Sequence, residues 1–211
     1  MFGIHDAGLF VAAGVLLNLT PGADFLYVLS RGAAGGFRAG VWAALGVGAG
    51  CFVHIVAAAA GLSALLASSA AAFAVVKWVG AGYLAYLGLS LLLVRRQALA
   101  VPAAAAATAS STRVFWQGFA TNVLNPKVAL FFLAFMPQFI SPSSDSKVCA
   151  FLLLGTIFNT TGTAWNILVA RCAALLSAHL ARASQLGAWL DRLLGGLFVL
   201  LAARLAVAQR A

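Results

Sequence analysis

Charged residues are scarce in this chain, and acidic residues are the scarcest of them. Of 211 residues, 8% are charged and only 4 are acidic, whereas 64% are hydrophobic. A typical soluble domain has about 25% charged residues. The shortage excludes an ordinary water-soluble fold and predicts a protein whose surface mostly faces lipid.

The chain also lacks any cluster of basic residues. Its 13 Lys and Arg give a net charge of +9, which on its own could suggest a nucleic-acid partner. Binding nucleic acid requires basic residues gathered on one polar face, whereas here they stand singly at the edges of apolar segments. This pattern predicts loop anchoring and membrane orientation, and we expect no nucleic-acid partner.

The groups that membrane enzymes and metal carriers need are missing as well. The 3 cysteines are far apart and show no CxxC spacing, which argues against a metal or redox site. There is no HExxH motif and no pair of aspartates within the apolar segments. Two Gly-x-Ser matches, at Gly61 and Gly88, are expected by chance among 21 glycines. We therefore expect no enzyme activity, no bound metal and no cofactor.

Long apolar segments are what the chain has in abundance. Each is long enough for the ~20 residues that cross a ~30 Å hydrocarbon layer. The first is not expected to be a cleavable signal peptide, because residues 1–8 hold no Lys or Arg and include Asp6. The predicted spans are about 8–30, 39–65, 71–94, 114–137, 148–170 and 187–208.

An Ala-rich stretch at 101–112 divides these spans into two groups of three. We predict an all-α membrane protein with about six transmembrane helices arranged as two inverted three-helix repeats. Repeat A covers about 1–100 and repeat B about 113–211. Neither half would have a soluble core of its own, so residues 1–211 are expected to form a single transmembrane transporter domain.

Spans one and four are both interrupted by proline close to an ionisable residue. The first carries the run Asn18-Leu19-Thr20-Pro21-Gly22-Ala23-Asp24, and the fourth carries Asn122-Val123-Leu124-Asn125-Pro126-Lys127. A proline inside a helix costs about 3 kcal/mol, and a charge at the bilayer centre costs about 2.5–3.5 kcal/mol on insertion scales. Both features in corresponding places predict a transporter with spans broken at Pro21 and Pro126 around a midplane binding site.

The residue before each proline suggests how the helices restart. Thr20 precedes Pro21 and Asn125 precedes Pro126; Thr and Asn favour the N-cap position, and proline favours the first helical position. Each break would leave free N–H groups at the start of a half-helix, which suit a carboxylate. We expect the two breaks to face each other near the middle of the membrane.

Polar side chains beside the breaks complete the predicted pocket. Asp24 and Lys127 could hold the two charges of a zwitterion such as an amino acid, or they could form a fixed structural ion pair. We expect Asp24 to couple transport to protons. The predicted substrate-binding residues are Asn18, Thr20, Pro21, Gly22, Asp24, Asn122, Asn125, Pro126 and Lys127.

Three further features could serve either structure or function. His54, in span two, is either a core histidine or a second proton-coupling residue. A polar patch in span five either holds helices together or lines the substrate path; it comprises Asn159, Thr160, Thr161 and Thr163. Two sets of small residues predict close helix packing: Gly32, Gly36 and Gly40, and Gly46, Gly48 and Gly50.

The basic residues at the span ends predict the orientation. Eight arginines follow spans one, three and five: Arg31, Arg38, Arg95, Arg96, Arg113, Arg171, Arg182 and Arg192. The opposite side has four basic residues: Lys77, Lys147, Arg204 and Arg210. By the positive-inside rule the first group is cytoplasmic and both termini lie outside, although Arg204 and Arg210 argue against this.

Two stretches of sequence resemble a known family. The motif NLTPGAD followed by FLYVLSRGAAGGFRAG, and the stretch GFATNVLNPKVALFFLAFMPQF, are similar to the two signatures of the LysE/RhtB family of amino-acid exporters. Family members often have proline where this chain has Ala23, a departure that leaves Pro21, Gly22 and Asp24 in place.

The resemblance implies a multi-pass protein of the bacterial inner membrane that exports amino acids or close derivatives, driven by the proton gradient. The expected partners are a small-molecule substrate, protons and the lipid bilayer, with a homodimer as one candidate assembly. Export of a small cation and an intramembrane enzyme are the alternatives. The cation alternative is disfavoured because only Asp24 lies deep in an apolar segment and no Cys/His cluster accompanies it.

Overall fold

The computed structural model describes residues 2–62, 109–141 and 143–176, together with eight single positions. Within these ranges the chain is helical, and the only β pairing is one isolated bridge between Ile4 and Ile140. The third and sixth predicted spans and residues 101–108 of the linker lie outside the described residues, apart from the single positions. The six-span count and the inverted repeats therefore stay predictions.

The first predicted break separates two helices. Helix α1 spans Ala7–Leu19 and helix α2 spans Ala23–Ala57, and a π-helical turn at Ala58–Leu62 extends α2. The three residues between the helices, 20–22, include Pro21, which has no N–H to donate to a continuing helix. The interruption predicted in span one is confirmed.

Helix α2 reverses its direction at Gly36. This residue has φ 75° and ψ −179°, a conformation that glycine alone adopts readily. A methyl group placed on Gly40 would lie 3.1 Å from Gly32 Cα, whereas residues eight apart in a continuous helix are about 12 Å apart. Helix α2 is thus a hairpin of two arms, 23–35 and 37–57, and its turn lies between the first and second predicted spans.

The second predicted break is equally clear. Helix α3 spans Ser111–Val123, where Ser110 Oγ accepts a hydrogen bond from Arg113 N at 3.3 Å. Helix α4 begins at Pro126 and ends at Leu130, and π-helical and 3₁₀ turns continue it to Phe139. The two parts are bent by 46°. The interruption predicted in span four is confirmed.

Helix α5 spans Lys147–Leu176 and includes the whole fifth predicted span. By length and apolar composition, two described helices could cross a membrane, 23–61 and 147–175, and the bent pair 111–139 could form a third. The second arm of α2 together with its π turn, 37–61, exceeds the ~20 residues that cross a membrane, so it is long enough to span the bilayer without the first arm.

Glycines allow α2 to pack closely on both α3 and α5. A methyl group on Gly50 would lie 2.6 Å from Phe119 O in α3, and one on Gly48 would lie 2.7 Å from Thr163 Oγ1 in α5. Gly32 and Gly40 are similarly close to Ala170. The predicted packing role of these glycines is confirmed, with Gly36 serving the turn instead.

Two apolar clusters form the core. One joins α1, the end of α2, the segment after Pro126 and α5, and is rich in phenylalanine; the Phe131 and Phe158 rings stack with centroids 4.6 Å apart. The other joins both arms of α2, α3 and the end of α5, around Val28, Val47 and Val114. The polar site described below lies where these clusters meet.

The two ends of the bundle differ in charge. At one end, next to the Gly36 turn, Arg31 Nη2 donates to Gln117 Oε1 at 2.8 Å, and the Arg171 guanidinium lies over Phe37. Arg38 and Arg113 belong to the same end. At the opposite end, His5 N donates to Phe139 O at 3.0 Å, close to the start of α5 at Lys147. The described arginines of the larger basic group thus share one end, as the sequence predicts.

Candidate functional site

The two breaks contact each other through reciprocal hydrogen bonds. Asp24 Oδ2, at the start of α2, accepts from Asn122 Nδ2 and from Asn125 Nδ2, both at 2.9 Å. Lys127 Nζ, in α4, donates to Leu17 O at 2.7 Å and to Thr20 O at 2.8 Å. The aspartate of the first break is thus held by side-chain amides of the second break. The lysine of the second break is held by backbone carbonyls of the first. The prediction that the breaks face each other is confirmed.

Lys127 caps the carboxyl end of α1. The last carbonyls of a helix have no partner within it and carry the negative end of the helix dipole, so a nearby cation stabilises them. Leu17 O and Thr20 O lie at this end of α1, and Leu17 O also accepts from Thr20 N at 3.2 Å. A side chain from the second break therefore supplies a charged donor to the backbone that ends at the first.

The predicted N-cap role of Thr20 is wrong. Its Oγ1 donates back to Leu16 O at 2.8 Å, so Thr20 closes the end of α1. The N-cap of α2 is Gly22, which has no side chain to accept a hydrogen bond, and Pro21 lies between the helices. The threonine hydroxyl thus bonds a carbonyl one turn earlier, which also accepts from Thr20 N at 3.0 Å.

The predicted N-cap role of Asn125 is confirmed. Its Oδ1 accepts from Lys127 N at 3.0 Å, and Pro126 is the first residue of α4. The other side of the same amide donates to Asp24, so both halves of the Asn125 side chain are engaged. Asn125 thereby fixes the start of α4 and the position of the carboxylate together.

Asp24 and Lys127 have separate partners. Across the residues that the structure describes, the single ion pair is between His5 and Asp6 near the amino terminus. The fixed ion pair considered from the sequence is therefore not what positions either group. Each charge is held by neutral groups of the opposite break.

A cavity opens beside these contacts. The empty space within it and the solvent space at its mouth together amount to about 490 Å³. It lies at the junction of the two apolar clusters, with Val47 on one side and Phe158 on the other. Pro21 and Pro126 shape the backbone without lining it. Seven of the nine predicted binding residues line the cavity: Asn18, Thr20, Gly22, Asp24, Asn122, Asn125 and Lys127.

His54 lies behind the cavity wall. Its Nε2 is 3.0 Å from Asn122 O, and its ring stacks on Phe132 with centroids 6.1 Å apart. A carbonyl oxygen only accepts hydrogen bonds, so Nε2 carries the proton of this contact. His54 is thus separated from Asp24 by one residue, Asn122.

One wall of the cavity was not in the predicted site. Helix α5 contributes Asn159, Gly162, Thr163 and Asn166, at the spacing i, i+3, i+4, i+7 of a single helix face. In the polar patch considered from the sequence, Asn159 Nδ2 also donates to Gly48 O at 3.1 Å, so it both lines the cavity and joins two helices. Thr160 and Thr161 instead donate to carbonyls of their own helix.

The distribution of asparagine could have located this wall. The whole sequence contains asparagine at positions 18, 122, 125, 159 and 166 and nowhere else, and all of these residues line the cavity. An amide that is buried in an apolar bundle needs hydrogen-bonding partners. In so apolar a chain, each asparagine therefore points to the polar site.

Within the described ranges, two acceptor oxygens of the cavity lining have no partner. Asp24 Oδ1 and Asn122 Oδ1 are buried and make no hydrogen bond. Asn122 as a whole is 3% exposed. Buried polar groups are nearly always paired, so these two atoms are exceptional.

A bundle of long apolar helices, two of them interrupted and meeting beside a polar cavity, defines a class of membrane transport protein. The profile of the LysE type translocator family matches residues 15–209. This chain belongs to that family.

Relatives match the chain almost from end to end. It is 32% identical over 203 residues to a homoserine/homoserine lactone efflux protein of Salmonella typhimurium, covering 96% of each chain. It is 30% identical over 208 residues to a leucine efflux protein of Enterobacter sp., covering 97% of each. An uncharacterized membrane protein of Pseudomonas aeruginosa is 32% identical over 209 residues, 98% of this chain and 97% of its own. No solved structure matches the chain.

Proposed function

We propose that this protein exports amino acids or close derivatives across the bacterial inner membrane by secondary active transport coupled to protons. The observation that carries the proposal is the cavity where the two breaks meet, which has one acidic and one basic side chain in its lining. The names of the relatives from Salmonella and Enterobacter, both efflux proteins, support the direction of transport and the class of substrate.

The proposed architecture is a multi-pass bundle of about six spans in two inverted repeats, 1–100 and 113–211. The equivalence of the two breaks supports it: each joins the end of one helix to the start of another through proline, and each supplies the partner of the other's charge. With the Gly36 end facing the cytoplasm, both termini lie outside.

The substrate occupies the cavity in this proposal, and Asp24 carries the coupling proton. Protonation removes the charge to which Asn122 and Asn125 donate. Hydrogen bonds to a charged group contribute about 1.5–3 kcal/mol, against about 0.5–1.5 kcal/mol for neutral pairs. Neutralising Asp24 therefore weakens the contact between the breaks and lets the two halves move past each other. His54, joined to Asp24 through Asn122, is the second proton-coupling residue.

Transport in proteoliposomes tests the proposal. Vesicles containing the purified protein are loaded with a labelled amino acid, screened across the common twenty and homoserine, and efflux is measured with and without an imposed proton gradient. We expect gradient-dependent efflux of at least one amino acid. Efflux that does not depend on the proton gradient would contradict proton coupling. Absence of efflux for all of these compounds would contradict amino-acid export.

The variant Asp24→Asn tests the coupling residue, with Asp145→Asn as the matched control. Asp145 lies exposed in the loop before α5, so the same chemical change there should leave efflux at the parental rate. Asp24→Asn should abolish gradient-driven efflux at equal protein content. Parental efflux with unchanged pH dependence would move the coupling role to His54.

A further inference from the structure

Some acceptor groups of the described cavity lining have no hydrogen-bond partner. The unpaired buried atoms in its lining, within the described residues, are both acceptors: Asp24 Oδ1 and Asn122 Oδ1. These groups are adjacent, because Asn122 Nδ2 donates to the other oxygen of Asp24 at 2.9 Å. The two free oxygens thus belong to side chains that contact each other and that both line the cavity.

Chemistry fixes which atom of Asn122 is free. A carboxylate can only accept hydrogen bonds, so the amide atom that contacts Asp24 must be the nitrogen. The free atom is then the oxygen. Asn125 is constrained in the same way but has no free atom, because its oxygen accepts from Lys127 N.

Three of the donors that line the cavity are engaged already. Lys127 Nζ gives two of its three hydrogens to the carbonyls that end α1. Asn159 Nδ2 donates to Gly48 O, and Asn18 Nδ2 is 3.5 Å from Phe158 O. A carboxylate that bound to any of these three donors would compete with a protein acceptor, whereas an ammonium group would meet two buried acceptors that are free.

We propose that the cavity recognises its ligand by a primary ammonium group, placed between Asp24 Oδ1 and Asn122 Oδ1, and that a carboxylate is not required. The inference rests on the proposed function and defines its substrates by their primary amine, so that amino acids whose carboxyl group is masked as an amide are included. An ammonium has three hydrogens and no acceptor, so it suits two unpaired oxygens, one of them charged. Both atoms are buried, so the ligand reaches them as the two breaks separate.

Ligand-dependent melting of the purified full-length protein in detergent tests this. Two trios of compounds share a side chain and differ at one group: leucine, leucinamide and 2-hydroxy-4-methylpentanoate, and serine, serinamide and glycerate. A ligand that binds the folded state raises Tm. We expect the amide of at least one trio to raise Tm as much as its amino acid does, and both hydroxy acids, which lack the amine, to leave Tm unchanged.

The opposite results separate this inference from the function on which it rests. If a hydroxy acid stabilises the protein and the matching amide does not, the carboxylate is what is recognised; the ammonium site is then wrong while amino-acid binding stands. If no compound of either trio changes Tm, both fail. The same melting experiment is repeated with sodium chloride and with ammonium chloride at equal ionic strength. If either salt raises Tm as much as the amides do, Asp24 Oδ1 and Asn122 Oδ1 bind an inorganic cation and the inference is wrong.

The variants Asn122→Ala and Asn125→Ala form a matched pair. Each removes one amide donor to Asp24 Oδ2; Asn122→Ala also removes a free acceptor, whereas Asn125→Ala also removes the N-cap hydrogen bond of α4. We expect Asn122→Ala to weaken amide binding about tenfold more than Asn125→Ala does. Equal weakening would show that the free oxygen of Asn122 takes no part in binding. If either alanine variant fails to fold, the same comparison is made with serine at both positions.

Discussion

At the scale of single residues, the site depends on an exchange of partners between two breaks. Asp24 is held by amides of the second break, and Lys127 holds the carbonyls that end α1. Neither charge neutralises the other directly. The roles of the two residues can therefore be separated by removing one charge or both.

The double variant Asp24→Asn, Lys127→Gln should export no better than either single variant. For a buried ion pair, loss of both charges is tolerated far better than loss of one. Here the two changes cause separate defects, one at the carboxylate and one at the end of α1. The measurement is efflux divided by the amount of protein in the membrane, and substantial recovery in the double variant would show that the charges act on each other.

A prediction at Thr20 concerns stability. Thr20→Val keeps the shape of the side chain but removes the hydroxyl that donates to Leu16 O. We expect a loss of about 0.5–1.5 kcal/mol of unfolding free energy, the usual net contribution of one hydrogen bond. Thr156→Val is the control, since its hydroxyl makes the same kind of contact, to Leu152 O, at an exposed site away from the cavity. A larger loss in the control would contradict a special role for the end of α1.

At the scale of the elements, the close packing of α2 is where the fold tolerates least change. Gly46 and Gly50 face backbone atoms of α3, which cannot move aside as a side chain can. Gly50, for example, leaves a methyl group only 2.6 Å from Phe119 O. The position of the cavity walls depends on these approaches.

Gly50→Ala should destabilise the protein, whereas Gly8→Ala should not. Overpacking a close contact typically costs about 1–3 kcal/mol, and at Gly50 the α2–α3 contact would have to open. At Gly8 a methyl group meets nothing within 4 Å, and alanine favours the helix by about 0.8–1.0 kcal/mol. Thermal unfolding in detergent measures both, and equal melting temperatures would mean that α2 and α3 can separate at little cost.

The sequence predicted the breaks better than it predicted their capping. Proline next to a polar residue disfavours a continuous helix inside an apolar span, so Pro21 and Pro126 located both interruptions. Whether the Thr20 hydroxyl turns forward to α2 or back to Leu16 O of α1 depends on which backbone group lies within its reach, and only the three-dimensional arrangement decides that. The wall from α5 was left open because a polar helix face in a membrane serves helix contact or a cavity equally well, and Asn159 does both.

At the scale of the whole molecule, the described part of the chain carries different charges at the two ends of the bundle. Arg31, Arg38, Arg113 and Arg171 share the end with the Gly36 turn, and the amino terminus shares the other end with Lys147. This separation supports the proposed orientation, with the arginines in the cytoplasm.

Two engineered cysteines should report that orientation. In a variant with the native cysteines replaced, Thr112→Cys marks the arginine end and Ser143→Cys the other, and both positions are exposed. We expect a membrane-impermeant thiol reagent to label Ser143→Cys in intact spheroplasts and Thr112→Cys only after permeabilisation. The reverse pattern would invert the topology without affecting the site.

The reciprocal contacts also bear on how the protein is made. While the ribosome has produced only the first hundred residues or so, Asp24 has neither of its amide partners and the end of α1 has no lysine to satisfy it. Such groups are costly in lipid, so the first half alone is less stable in the bilayer than the same half within the complete protein. Completion of the second half supplies all the missing partners together. The same contacts that shape the binding cavity therefore distinguish a finished molecule from a truncated one.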